Sequence, residues 1–425
     1  MIAWLLISFF VLLFLGVPIA MSLGLSAMGG ILFLGGGSTV TIAQRMFEGM
    51  NSFALLAIPL YTFAGFTMSK GGISKRLMDF CYSIVGHIYG GLAHVNVLSS
   101  MIFAGISGSA VADTAGVSGM FMPEMVRKGY SKNFTVAVTA ISSTIGIIIP
   151  PSIPMVVIAG ICGISTGKLF LGGIIPGILC GLAQMIVSYF LAKKEGVPKE
   201  PGHFTIGPVL HGLWESWPAL LMPIIIVGTI TMGIVSPTEA GVIAVVYGLF
   251  AGGIIYRELK WEDIKFAFAE TVRTSGRIFI VIGAAKLYTV MLTTAGFDKW
   301  VAKTMLGFST NPTVILIMIL LIFFIVTMFM ESIATLTLFM PILYPIALGV
   351  GIDPIVLSVL ITVVIGIGLV TPPVGMCIYV ACDLMDTTVG EVFPTLVPFI
   401  AATFVCIALM VAFPQLILLP TYLMA

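Results

Sequence analysis

Two carboxylates stand within a chain that is otherwise almost wholly apolar: Asp113 in the Gly/Ser-rich run GISGSAVADTAGVSG (105–119) and Glu331 in FMESIATLTLFMPI (329–342). A charge at the centre of a bilayer costs on the order of 2.5–3.5 kcal/mol even on lenient insertion scales, so such residues mark ion or substrate paths. Each lies upstream of a Pro-Pro break, GIIIPPS (146–152) and GLVTPPVG (368–375). Tandem prolines remove two backbone donors and free carbonyls one turn earlier. In lipid, irregular backbone survives only where it is buried or lines a watery cavity. Two pairs of breaks therefore offer helix N-termini to an anion, and carbonyl, hydroxyl and carboxylate oxygens to a cation. Plainer uses exist for the same residues. A Gly/Ser run allows close helix packing, Pro kinks a helix, and either carboxylate can accept N–H bonds at a helix start.

The surrounding chain is that of a membrane protein. Of 425 residues, 59% are hydrophobic and 9% charged, against roughly a quarter charged in soluble domains; the mean hydropathy is +1.17. A net charge of +1 excludes a nucleic-acid footprint. Cys81, Cys162, Cys180, Cys377, Cys382 and Cys406 are scattered as small apolar residues without a CxxC pair. The apolar N-terminus lacks a basic n-region and reads as a retained membrane helix.

About 20 apolar residues cross the hydrocarbon core. Candidate spans are 2–16, 18–34, 51–69, 134–162, 170–191, 214–235, 237–256, 277–295, 354–381 and 394–421, with 2–34 as one helix or two. The polar stretch at 192–204 divides two similar halves. Pro18 and Gly29 fall opposite Pro237 and Gly248, GGIS (71–74) opposite AGFD (295–298), and Pro176 opposite Pro398. FMP (121–123) falls opposite FMP (339–341), which sets Asp113 against Glu331, and G-x-x-x-P-P recurs from Gly146 and Gly368.

Lys and Arg gather in cytoplasmic loops. Lys70, Lys75 and Arg76 precede residues 80–123, and Arg127, Lys128 and Lys132 follow them, so both ends lie inside. The segment reads as a re-entrant hairpin with GISGSAVAD at its tip. Lys193, Lys194 and Lys199, then Arg257 to Arg277, place the linker and the 257–277 stretch inside too. Five spans plus a hairpin is odd, so the second half is inverted, and its hairpin (313–343) opens outward. The stretch 257–277 is amphipathic and reads as an interfacial helix, with 38–51 as its counterpart. Glu239 and Lys286 also fall within spans, where packing or subunit contact is the expected role.

No HExxH, Walker A or redox motif is present, which leaves ATP-driven transport within this chain unsupported. GISG matches the GxSG of intramembrane serine proteases, with Ser107 as nucleophile and only His87 or His94 as base.

With these motifs, and IPPSIPMVV, SPTEAG and LVTPPVGMCIYVACDL, the whole chain resembles the large membrane subunit of tripartite ATP-independent periplasmic (TRAP) transporters. The resemblance implies an all-α polytopic protein of two inverted repeats, each with a re-entrant hairpin and a broken helix, working as an elevator. Scaffold spans and arm helices would occupy 1–78 and 214–295, the transport domain 79–192 and 296–425, and a cytoplasmic linker 193–213. It implies sodium-coupled uptake of a carboxylate, such as sialic acid or a C4-dicarboxylate, across the bacterial inner membrane. The partners would be a periplasmic binding protein and a separate small four-helix membrane subunit; a transporter without a binding protein is the alternative. Two sodium sites would take Ser107, Gly108, Ser109, Asp113, Gly146 and Pro150, then Glu331, Ser332, Thr335, Gly368 and Thr371. Substrate would meet Ser107, Ser152, Glu331 and Gly375.

Overall fold

The computed structural model describes residues 1–34, 39–197 and 205–424. The first half runs α1 (Ile2–Phe14), α2 (Ile19–Leu34), α3 (Thr39–Met50), α4 (Ala57–Lys70), α5 (Ile73–Val85), α6 (Gly91–Ser107), α7 (Ala110–Arg127), α8 (Lys132–Ser143), α9 (Ile153–Cys162) and α10 (Thr166–Lys194). The second runs α11 (Ile206–Thr231), α12 (Pro237–Phe250), α13 (Trp261–Thr294), α14 (Phe297–Phe308), α15 (Pro312–Thr327), α16 (Ser332–Gly349), α17 (Pro354–Gly368), α18 (Met376–Met385) and α19 (Val389–Ala412). Element for element the halves correspond: α6–α7 and α15–α16 are hairpins, and α8–α9 and α17–α18 are helices broken at the prolines. Among the described residues, seven helices are long and apolar enough to cross a membrane.

Local sequence sets the boundaries. Ser131 and Asp353 head α8 and α17, accepting from Phe134 N at 3.1 Å and from Ile355 N at 2.8 Å. Both helices sit at the centre, with residues 134–143 and 355–368 wholly buried; α17 is largely apolar, whereas α8 buries Thr135, Thr139, Ser142 and Ser143. Helix α10 passes close behind the first break because its inner face is glycine. A Cβ on Gly173 would stand 2.3 Å from the Ile148 carbonyl oxygen, and one on Gly177 2.3 Å from Ile149 Cγ1. Lipid gives no hydrophobic drive between helices, so such close packing carries the association.

Of the two readings of residues 2–34, the structure has two helices, parted at Gly16 and Pro18. Other boundaries differ from expectation. From Trp261 on, the amphipathic stretch and the span 277–295 are one continuous helix, α13, with no proline between them; its counterpart breaks at Asn51 and Ser52 into α3 and α4. Much of the 193–213 linker is helical, because α10 runs to Lys194 and α11 starts at Ile206; residues 198–204 of it lie outside the described residues. The last span ends at Ala412, after which Pro414 turns the chain into short helical turns.

Candidate functional site

At the first tip, Gly108 adopts φ +65°, which lets α6 end and the chain reverse within two residues. Ser109 is extended and caps α7, its hydroxyl accepting from Ala112 N at 3.4 Å. The Ser107 hydroxyl donates to Asp113 Oδ1 one turn into α7. Asp113 is fully buried, and its Oδ2 has no hydrogen-bond partner. Gly146, in the 3-10 turn that ends α8, lies against that oxygen: a Cβ there would be 2.0 Å from Oδ2 and 3.5 Å from the Ser109 carbonyl.

The tip is stitched to the break of its own half. Ile153 N donates to the Gly108 carbonyl at 3.2 Å, and a Cβ on Gly108 would meet the Pro151 carbonyl at 2.8 Å. Ser152 is buried and heads α9, accepting from Met155 N at 3.3 Å and donating to the Ile147 carbonyl at 2.5 Å. Pro150 joins Pro151 through a cis peptide, as Pro372 joins Pro373.

The second tip is built differently. Glu331 caps α16: Oε2 accepts from Ile333 N at 3.0 Å and Ala334 N at 3.2 Å, and Oε1 accepts from the Ser332 hydroxyl at 2.9 Å. Thr335 is buried and donates to the Glu331 carbonyl at 3.1 Å. Backbone makes the stitch to the break, Val374 N donating to the Met328 carbonyl at 3.0 Å. Gly368 faces Thr327, where a Cβ would stand 2.5 Å from the threonine Cβ. Thr371 donates to the Ile367 carbonyl at 2.7 Å, and Gly375 at φ +35° opens α18.

Structure thus brings together Ser107, Gly108, Ser109, Asp113, Gly146 and Ser152, with Pro150 in the same break. Glu331, Ser332 and Thr335 share one helical turn, while Gly368, Thr371 and Gly375 line the second break. The pairing of Asp113 with Glu331 needs correction. Both Ser109 and Glu331 are helix caps, so Glu331 corresponds to Ser109, and Asp113 corresponds to Thr335. Matching the FMP tripeptides slipped the alignment by one helical turn; the proline at the place of Pro123 is Pro345. Glu239 lies in the first turn of the apolar helix α12, at its end and not at its centre. It completes a capping box at the exposed start of α12, Oε2 accepting from Ser236 N at 2.7 Å. The S-x-x-E of SPTEAG is the signal for it.

The two halves interlock beyond the tips. Helix α9 packs along α16, and α18 along α7 and α8. Spacing had not flagged Thr327, nor the buried pair Thr114 and Ser143, bonded at 2.6 Å beside Asp113 and within reach of the Cys377 thiol. Among the described residues no three His, Cys, Asp or Glu side chains gather. An orphaned carboxylate oxygen, hydroxyls and carbonyls form a hard oxygen set, the kind that takes an alkali cation rather than a soft metal. Asp113 Oδ2, the Ser109 carbonyl and the Ser107 hydroxyl would hold it. The Ser107 proton goes to a carboxylate and not to a histidine, and His94, on the same helix, sits about 20 Å away at 1.5 Å per residue.

The family model for the "Tripartite ATP-independent periplasmic transporter, DctM component" matches residues 6–416. The sialic acid TRAP transporter large permease protein SiaM of Vibrio cholerae is 35% identical over 96% of this chain and 95% of its own. The C4-dicarboxylate TRAP transporter large permease protein DctM of Pseudomonas aeruginosa is 36% identical over 95% of this chain and 94% of its own. The isethionate TRAP transporter permease protein DctMQ of Oleidesulfovibrio alaskensis is 37% identical over 92% of this chain, which spans 62% of that relative's length. A solved structure, the Alcanivorax borkumensis YdaH transporter, shares the fold at TM-score 0.59 and 13% identity, covering 89% of this chain and 88% of its own. Two repeats of hairpin and broken helix, a carboxylate at the first tip and a match along nearly the whole sequence agree: the chain belongs to the DctM component of the TRAP transporter family, multi-pass transport proteins of the inner membrane and not enzymes.

Proposed function

We propose that this chain carries an organic acid inward with sodium, by an elevator motion, after a periplasmic binding protein delivers the acid. The observation that carries the reading is Asp113: a fully buried carboxylate at a hairpin tip with one oxygen unpartnered and Gly146 pressed against it. A sodium ion there completes the coordination that the protein leaves open. A second ion would use the hydroxyls and carbonyls around Thr335, Ser332, Gly368 and Thr371, with Glu331 holding the turn. The acid would lie between the tips, against Ser107, Ser152, Glu331 and Gly375. The relatives named for isethionate, sialic acid and C4-dicarboxylates share an acid group as cargo, which supports the class without choosing a member.

Residues 79–192 and 296–425 would move as one body, a reading supported by the crosswise packing of α9 on α16 and α18 on α7. Residues 1–78 and 214–295 would stay fixed beside a small four-helix subunit, and the 193–213 stretch would connect the halves. Two sodium ions with a monoanion import one net charge, worth about 2.3 kcal/mol per 100 mV. Each decade of accumulation costs about 1.4 kcal/mol, so the membrane potential alone supports useful concentration.

The test is uptake by liposomes containing this chain and its small subunit, with a binding protein loaded with labelled succinate or sialic acid. Uptake that needs an inward sodium gradient is expected. Equal uptake with potassium in place of sodium would overturn the coupling, and uptake without binding protein would remove that partner.

A further inference from the structure

A cavity of about 170 Å³ lies between α9 and α16 on one side and α3 and α13 on the other, room for several waters at roughly 10–15 Å³ each. By the Lys/Arg pattern it faces outward. Its polar lining is Glu48, Ser52, Lys286 and Thr337. Glu48 is engaged by Arg45 at 2.7 Å. Lys286 is half-buried and forms no hydrogen bond or ion pair among the described residues, and its stem is pinned by Gly49, where a Cβ would stand 2.6 Å from Lys286 Cβ. With Glu48 committed to Arg45, the Lys286 ammonium is left without a carboxylate of its own in the cavity. The repeat does not require a cation at this place. Left-handed Gly72 and Gly296 head α5 and α14 in register, and that alignment sets Lys286 opposite Thr62, a buried threonine bonded to its own helix.

The cavity also adjoins the tips. Thr337 follows Glu331 by six residues and Gly160 follows Ser152 by eight, about 9 and 12 Å along their helices. Resting on the function proposed above, we propose that the Lys286 ammonium forms an outer subsite that holds the acid group of the cargo before it reaches the tips; the Thr337 hydroxyl, which donates to the Ile333 carbonyl at 2.8 Å, only lines it.

Sodium-driven uptake in purely zwitterionic vesicles tests this with K286Q, K286R, E48Q and the E48Q/K286Q pair. K286Q is expected to raise KM for the acid about tenfold, the loss of one charge-assisted hydrogen bond, with half-saturation by sodium unchanged. K286R should stay close to wild type, and E48Q, by leaving the site more positive, should lower KM. An unchanged KM in K286Q overturns the subsite. So does an E48Q defect like that of K286Q which the double variant repairs, since Lys286 would then serve only to pair with Glu48. So does a K286Q defect that appears only when anionic lipid is added, which would make the ligand a headgroup. Wild-type uptake indifferent to sodium would instead defeat the proposed function, a failure distinct from these.

Discussion

Gly146 presses its bare α-carbon against Asp113 Oδ2, so closely that a methyl group there would stand 2.0 Å from the carboxylate oxygen. Ser107 fixes the other oxygen, Oδ1, leaving the carboxylate little freedom to turn away. Gly146→Ala must therefore displace Asp113 or open the 3-10 turn, and overpacking of this kind costs about 1–3 kcal/mol. Sodium-dependent uptake should fall sharply in Gly146→Ala, while Gly119→Ala, with nothing within 4 Å of the new methyl, should transport as wild type. Equal behaviour of the two variants would show that the contact is incidental.

The two tip carboxylates are expected to fail in different ways. Asp113 has an oxygen to spare, whereas both oxygens of Glu331 are engaged in the first turn of α16. Asp113→Ala should raise the sodium concentration for half-maximal uptake by about tenfold or more, since about 1.4 kcal/mol of lost coordination is a factor of ten. Glu331→Ala should first lower the melting temperature, losing a cap worth about 0.5–2 kcal/mol; Glu331→Gln keeps an acceptor and should melt close to wild type. Sodium titrations of uptake beside thermal unfolding in detergent separate the two. An Asp113→Ala variant with normal sodium dependence would dismiss the first site.

Much of this architecture is legible because lipid punishes irregular backbone, so Gly146, Pro150 and Pro151 and their mates Gly368, Pro372 and Pro373 announce the breaks without a structure. The hairpin tips follow from Ser107 to Ser109 by the same logic. What stays hidden is register. FMP recurs at 121–123 and 339–341, yet side-chain caps, not tripeptides, fix where α7 and α16 begin, and the true mate of Asp113 is Thr335. Thr327 and Ser143 are equally invisible, since a buried threonine or serine bonded to its own helix leaves no mark on spacing. The unbroken course of α13 is another such case: the change from an amphipathic stretch to an apolar span near 277 suggests two elements, yet one helix runs from Trp261 to Thr294.

The exposed capping box of α12 can be tested from both of its halves. Ser236→Ala removes the hydroxyl that accepts from Glu239 N and should cost about 1 kcal/mol while sodium-driven uptake is retained. Glu239→Gln keeps an acceptor for the Ser236 N–H and should melt close to wild type. A Ser236→Ala variant that melts as wild type in detergent would contradict the assignment.

Sliding of one body past the other can be tested where they touch. A Cβ on Gly160 of α9 would stand 3.7 Å from Ala54 Cβ, at the head of α4, within the spacing of about 3.5–4.5 Å that a disulfide spans. The pair Ala54→Cys and Gly160→Cys, in a background lacking the six native cysteines, would tie the proposed fixed and moving bodies together. A matching control lies within the fixed body, where a Cβ on Gly24 would stand 3.9 Å from Ala284 Cβ. Oxidation should stop uptake in the first pair and reduction should restore it, whereas Gly24→Cys with Ala284→Cys should transport in both states. Cross-linking confirmed by gel mobility, with uptake undiminished in the first pair, would mean that α9 and α4 never part during the cycle, and the elevator would have to give way to a motion confined to the hairpin tips.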